Sequence, residues 1–188
     1  MSANSNETHR ALILGSTKGQ FMVQAAEGCF IQNPDIKDQV KTAHLDNGVN
    51  MRIMDHDFNR LQRAPSQLDA VIVTCSYDDI KSVNDAVNMM KNDGFDLMGD
   101  NVKRMLVVTN IGSQNSLQET SENQSVIDKL EKLKLSGKSL FVEVNIKDNS
   151  SVMAALTKLS IAIDPTIAYR NTTEDKKEDD NSKSCSIM

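Results

Sequence analysis

Three stretches of this chain hold residue types able to do chemistry. The first is Gly15–Ser16–Thr17–Lys18–Gly19–Gln20, directly after the apolar run Ala11–Leu14. Small residues leading into a lysine are ingredients of a phosphate cradle, where backbone N–H groups and one ammonium face the anion. Taken alone, Gly-Ser-Thr-Lys-Gly is also an ordinary turn. The second is Asp55–His56–Asp57, an imidazole between two carboxylates. Those groups can move protons, but no nucleophile accompanies them, and the plainer reading is an exposed loop. The third is Cys185–Ser186–Ile187–Met188, a C-a-a-X pattern whose terminal Met favours a farnesyl group. A flexible polar stretch before it would present the thiol to a transferase. No G-x-G-x-x-G follows the first apolar run, so a dinucleotide-binding unit is not expected.

These stretches must be positioned by a scaffold, and the apolar pattern predicts one. Short runs rich in Val, Ile and Leu occur at Ala11–Leu14, Met51–Met54, Ala70–Thr74, Met105–Thr109 and Leu140–Val144. Consecutive apolar positions of this length suit strands covered on both faces. Helical stripes lie between them: Ile80, Val83, Val87 and Met90; Ile127, Leu130 and Leu133; Val152, Leu156, Leu159 and Ile163. Each repeats at helical spacing. Asn149, Ser150 and Ser151 offer caps for the last helix, and Pro165 a stop. Asn47–Gly48 is a strong hairpin signal, so strands near 40–45 and 49–55 should pair antiparallel. Strands alternating with helices imply parallel βαβ units. The expected architecture is therefore α/β, a mixed but mostly parallel six-stranded sheet flanked by helices.

Composition narrows the function classes. The chain has 188 residues, a formal net charge of -5 and a sequence pI of about 5.2. An acidic domain of that size lacks the basic face a nucleic-acid partner needs. No apolar run approaches the ~18 residues of a bilayer span, and the polar segment 1–10 is not read as a secretory signal. Three cysteines, Cys29, Cys75 and Cys185, are too scattered for a disulfide frame or zinc site; Cys75, ending an apolar run, is expected to be buried packing. Asn-x-Ser/Thr occurs at Asn6, Asn123, Asn149 and Asn171 and is read as chance. Residues 171–184 contain no apolar side chain and cannot bury a core. Residues 1–9 and 169–188 are read as disordered tails and 10–168 as one domain.

The strand–loop–helix opening, the mixed sheet and the C-a-a-X end together resemble the Ras family of small G-domains, Rheb-like proteins in particular. The resemblance spans roughly 11–163 plus the terminus. It rests on Leu12–Ile13–Leu14–Gly15, Gln24–Ala25–Ala26–Glu27–Gly28–Cys29–Phe30, Asp79–Ile80–Lys81–Ser82–Val83, Met105–Leu106–Val107–Val108–Thr109–Asn110 and Ser184–Met188. It implies a P-loop G-domain fold, and it assigns a nucleotide-handling place to Gly15, Lys18, Asp55, Asn110 and Lys147.

The family's functional motifs are broken. Matching Gln24–Gly28 puts Lys18 at the phosphate-loop lysine, in a loop three residues short. Thr17 then stands at the second glycine and Gly19 at the magnesium-binding hydroxyl. Taking Gly19 as the second glycine would put Gln20 and Phe21 at the Lys and Ser/Thr positions, a poorer match. In the first switch Asp35 takes the threonine position, and Lys37 reverses the charge of an acidic effector residue. In the second switch Asp55 is kept, able to touch magnesium through water; Phe58 replaces the glycine, and Asn59 stands at the water-orienting glutamine. The guanine loop reads Asn110–Ile111–Gly112–Ser113, keeping only its Asn, and the last motif, Asn145–Ile146–Lys147, keeps only its Lys.

A charged hydrogen bond contributes ~1.5–3 kcal/mol, so these losses remove ~6 kcal/mol or more, about four orders of magnitude in affinity. The expected protein is a pseudo-GTPase that presents its switch surface to protein effectors or regulators. Its expected cofactor is none, or weakly held GTP or GDP with Mg. Farnesyltransferase would act on Cys185. One lipid chain anchors marginally, and residues 170–184 carry four cations against five carboxylates, net -1. Attachment would thus be reversible, at the cytoplasmic face of membranes with a cytosolic pool. Two alternatives stand beside it: a divergent but active GTP switch using Lys18, Asp55, Asn110 and Lys147, and an unrelated flavodoxin-like domain, which the absence of Trp and the presence of only two Tyr make the poorer match.

Overall fold

A computed structural model describes residues 7–36, 39–55, 68–91, 101–109 and 121–168, except the side chains of 121–123. The described elements are β1 (Thr8–Gly15), α1 (Lys18–Glu27), β2 (Val40–His44), β3 (Asn50–Asp55), β4 (Ala70–Ser76), α2 (Ile80–Met90), β5 (Lys103–Thr109), α3 (Ser121–Leu135), β6 (Leu140–Val144) and α4 (Asn149–Ile163). One six-stranded sheet runs in the order β2-β3-β1-β4-β5-β6. All neighbours are parallel except β2 and β3. That hairpin turns at Gly48, whose φ of 77° needs glycine, with Gly48 N–H donating to Leu45 O at 2.9 Å.

The sheet is buried on both sides because its strands place apolar residues on both. On β1, Ala11 and Ile13 face a cluster with Phe21, Met22 and Ala25 of α1 and Val152, Leu156 and Leu159 of α4. Leu12 and Leu14 face Val83, Ala86 and Val87 of α2 and Leu130 of α3. Strand alternation thus serves two cores at once. Cys75 lies fully buried on the second side, and burial pushes its thiol up to about 12. It is no nucleophile near neutrality.

Several expected boundaries shift. Residues 7–9, read as part of a tail, belong to the fold: β1 starts at Thr8, pairing Thr8 with Asn50 and His9 with Met51, and Asn50 N–H donates to Glu7 O at 2.8 Å. A neighbouring strand supplies partners for polar residues that an apolar-run criterion omits. On α2, Val83, Val87 and Met90 are buried as expected, Ser82 and Ala86 complete the stripe, and Ile80 is half-buried. The cap of α4 is Asp148, whose carboxylate accepts from Ser150 N–H at 3.0 Å. Asn149 and Ser151 serve elsewhere: the Asn149 amide donates to Gln24 O at 2.7 Å, and Ser151 Oγ accepts from Asn145 N–H at 3.0 Å. The tail read over 169–188 lies outside the described residues.

Candidate functional site

In an open α/β sheet, ligands bind beyond the carboxyl ends of the strands where chain connections diverge to opposite sides. Here that point is the end of β1, flanked by β3 and β4. Gly15 ends β1 with φ 102°. A Cβ at this position would overlap the Thr74 carbonyl, so only glycine lets β1 turn this close to β4. The turn carries the chain into α1, which starts at Lys18. A cleft of about 460 Å³ opens there between Ser16, Lys18 and Gly19 on one wall and Asn33, Pro34 and Asp35 on the other.

The turn is held from beneath by hydroxyls. Thr17 is buried, its Oγ1 3.4 Å from Thr109 Oγ1, which donates to Cys75 O at 3.0 Å. Thr74 Oγ1 donates to Leu14 O at 3.0 Å. Ser82 Oγ accepts from Ser76 N–H at 3.0 Å and meets Ser16 Oγ in a short hydroxyl–hydroxyl bond. Apart from Ser16 and Thr17, these hydroxyls carry no functional mark in the sequence. The signal that marks them is a hydroxyl residue at the carboxyl end of an apolar strand, as at Thr74, Ser76 and Thr109.

Two of the groups assigned to nucleotide handling, Lys18 and Asp55, are brought together, but against one another. Lys18 Nζ lies 2.6 Å from Asp55 Oδ1, at the end of β3. Asp55's side chain is 7% exposed and Lys18's 31%; the contact is an ion pair without hydrogen-bond geometry, and Asp55 Oδ1 accepts no hydrogen bond from any described residue. The ammonium that would meet a phosphate and the carboxylate that would meet a cation therefore neutralise each other. Ser16 N–H, placed where a nest would aim it outward, donates to Thr74 O at 3.2 Å. Gly19 offers no hydroxyl, and a Cβ there would lie 2.9 Å from Pro34 Cγ. The segment read as the first switch packs down on α1: Gln20 Nε2 donates to Gln32 O at 2.8 Å, and Ile36 is buried. Asp35 is exposed at the rim of the cleft. Phe21 is fully buried in the core, which excludes the register that put it at a Ser/Thr ligand position.

Lys147 Nζ sits 5.7 Å from the Phe30 ring centroid, a cation–π pair. Ile146 is fully buried, and Lys147 N–H donates to Asn145 Oδ1 at 3.1 Å in an exposed turn. Lys37, His56, Asp57, Phe58, Asn59, Asn110 and Ser113 lie outside the described residues, as does Cys185.

The described residues offer no magnesium ligand set: Gly19 has no hydroxyl and Asp55 is paired with Lys18. The first turn of α1, without a side-chain cap or an acidic residue, is what remains open to an anion. Among the described residues, no three His, Cys, Asp or Glu side chains gather to hold a metal. Restoring the missing hydroxyl tests the crowding: Gly19→Ser should lower stability by ~1–3 kcal/mol, the usual range for overpacking, without any gain in magnesium-dependent GTP binding. Urea denaturation and a nucleotide titration check both halves.

No known protein family matches this chain, and no curated protein matches it either.

Proposed function

We propose that this chain is a Ras-like module that works without nucleotide: a pseudo-GTPase scaffold, tethered reversibly to the cytoplasmic face of membranes and recognised by protein effectors or regulators. The strand order β2-β3-β1-β4-β5-β6 with one antiparallel edge hairpin supports the G-domain reading. The observation that carries the loss of nucleotide is the Lys18–Asp55 ion pair at 2.6 Å. For Lys18 to meet a phosphate it must leave a carboxylate that is nearly buried, and nothing at Gly19 replaces it with a held cation. The tether rests on the Cys185–Met188 pattern.

One observation favours the divergent, active switch instead. The first turn of α1 has no side-chain cap and no acidic residue, so its N–H groups and dipole remain open to an anion. The two readings separate in one experiment on the full chain. Ligands that bind only the folded state raise its melting temperature. Excess GTP with magnesium should leave it unchanged, whereas a clear rise would sink the nucleotide-free reading. Co-expression with a farnesyltransferase tests the tether: the wild type should be recovered with membranes and Cys185→Ser should not.

A further inference from the structure

Helix α3 ends on a leucine that no core explains. Leu130 is buried, and Val126 and Leu133 pack against the same cluster, beside α2. Leu135 lies off that stripe and is 81% exposed, against 43% for Ile31 and 45% for Val40, the other exposed large apolar side chains among the described residues. Helix propensity does not call for leucine there, since lysine or glutamate serves about as well. Nor does the helix end depend on it: Ser136 Oγ donates to Leu133 O at 2.7 Å, and Gly137 turns the chain with φ 64°. This leucine stands among cations. Residues 128–138 carry four lysines and two carboxylates. Asp128 accepts from Gln124 Nε2 at 2.9 Å, and Glu131 lies 4.0 Å from Lys134 Nζ. Lys132, Lys134 and Lys138 are all exposed.

The place of this patch in the fold gives it a direction. β1, β3, β4, β5 and β6 run parallel. The turn from α3 into β6 therefore lies at the amino ends of the strands, and the Lys18 cleft at their carboxyl ends. Helix α4 finishes at the same amino end: Asn47 Nδ2, in the turn leading to β3, donates to Ser160 Oγ at 2.9 Å. Cys185 follows Ala168 by 17 positions, a reach of at most ~60 Å. A lipid on Cys185 would thus hold this end of the domain nearer a bilayer than the end with the cleft. One lipid chain anchors only marginally, and a second signal is usual. Residues 170–184, at net -1, do not supply it.

We propose that the turn joining α3 to β6 is a second membrane contact: Leu135 enters the interface of an anionic bilayer while Lys132, Lys134 and Lys138 meet its headgroup phosphates and carboxylates. This contact supplements the lipid at Cys185 and so rests on the proposed tether. Apolar burial adds to attraction for anionic lipid wherever a protein surface lies on a membrane. Each cation near the surface strengthens the contact, and salt screens it. The chain as a whole stands at -5, so a preference for anionic over neutral lipid must come from a local patch. Lys132 and Lys134, in the last turn of α3, also complement the helix dipole. Leu135 has no such second use, and it is the residue that points to lipid. With this end against the bilayer, the Lys18 cleft at the opposite end stays open to protein partners.

The test uses the full chain, treated with farnesyltransferase, at physiological ionic strength. Its partition is measured on phosphatidylcholine vesicles with and without about one quarter phosphatidylserine, the anionic lipid of cytoplasmic leaflets. The mass of the treated chain decides the tether by itself. An unmodified Cys185 sinks that reading, and the contact is then read on the unlipidated chain at higher lipid concentration. Wild type should prefer the anionic vesicles by roughly tenfold or more. Lys132 and Lys138 are exposed, so Lys132→Glu with Lys138→Glu should leave the fold intact while cutting that preference to within about twofold of none. If this pair lowers the melting temperature, Lys138→Ala replaces it, with a loss of roughly threefold or more expected. Lys81→Glu with Lys158→Glu makes the same change in net charge on exposed positions of α2 and α4 and should alter the preference by less than about twofold. Leu135→Ser should weaken binding to the anionic vesicles by roughly threefold or more. A wild-type preference below about twofold, or equal loss in the control pair, overturns the contact. Leu135→Ser binding as tightly as wild type overturns it too, and would assign the leucine to a protein partner.

Discussion

Gly15→Ala should destabilise the protein by on the order of 4 kcal/mol or prevent its folding, a loss at the extreme of single substitutions. Two causes add. A backbone at φ 102° lies where an L side chain is strained, at about 1–3 kcal/mol. The new Cβ would also overlap the Thr74 carbonyl. That carbonyl already accepts from Ser16 N–H at 3.2 Å, and Thr74 Oγ1 holds Leu14 O, so the overlap cannot be relieved without parting β1 from β4. These are central strands of the sheet, and a typical domain has only ~5–15 kcal/mol in total. Urea denaturation measures the loss directly. A change under ~1 kcal/mol, within the range of an ordinary surface substitution, would mean that the turn relaxes freely and is no rigid support for the cleft.

Lys18→Met should cost about 2–3 kcal/mol, and Asp55→Asn distinctly less. The asymmetry follows from exposure. Removing the lysine strands a carboxylate that is 7% exposed, whereas removing the carboxylate leaves an ammonium that is 31% exposed and meets water. Breaking a fully buried pair costs ~3–5 kcal/mol, and the partial exposure of Lys18 puts this pair below that. Combining Lys18→Met with Asp55→Asn should recover at least ~1 kcal/mol relative to the sum of the single losses, the coupling expected of groups in contact. A pair kept for ligands, rather than for each other, would show little effect on stability from either change.

Much of the scaffold was readable from residue types alone. Runs such as Ala70–Thr74 suited strands with both faces covered, Asn47–Gly48 signalled a tight turn, and Val152, Leu156 and Leu159 marked one helix face; local rules favour such features. Strand ends were less legible, because Thr8 and Lys103 join the sheet through partners distant in sequence. The site was legible as a set of damaged motif positions, and Lys18 and Asp55 do meet. What the sequence could not disclose was direction: that Ser16 N–H turns to Thr74, that Lys18 turns to Asp55, or that Pro34 lies on Gly19. Each depends on a contact between elements far apart in the chain.

In the proposed nucleotide-free module, the lysine and carboxylate that a nucleotide would need are already paired with each other. Denaturing full-length protein taken directly from cells and quantifying the released guanine nucleotide tests this in one step. The expected amount is far below one equivalent, with the emptied protein fully folded beforehand. Nearly one equivalent of GDP or GTP would show that Lys18 and Asp55 part readily for a nucleotide, and would contradict the account.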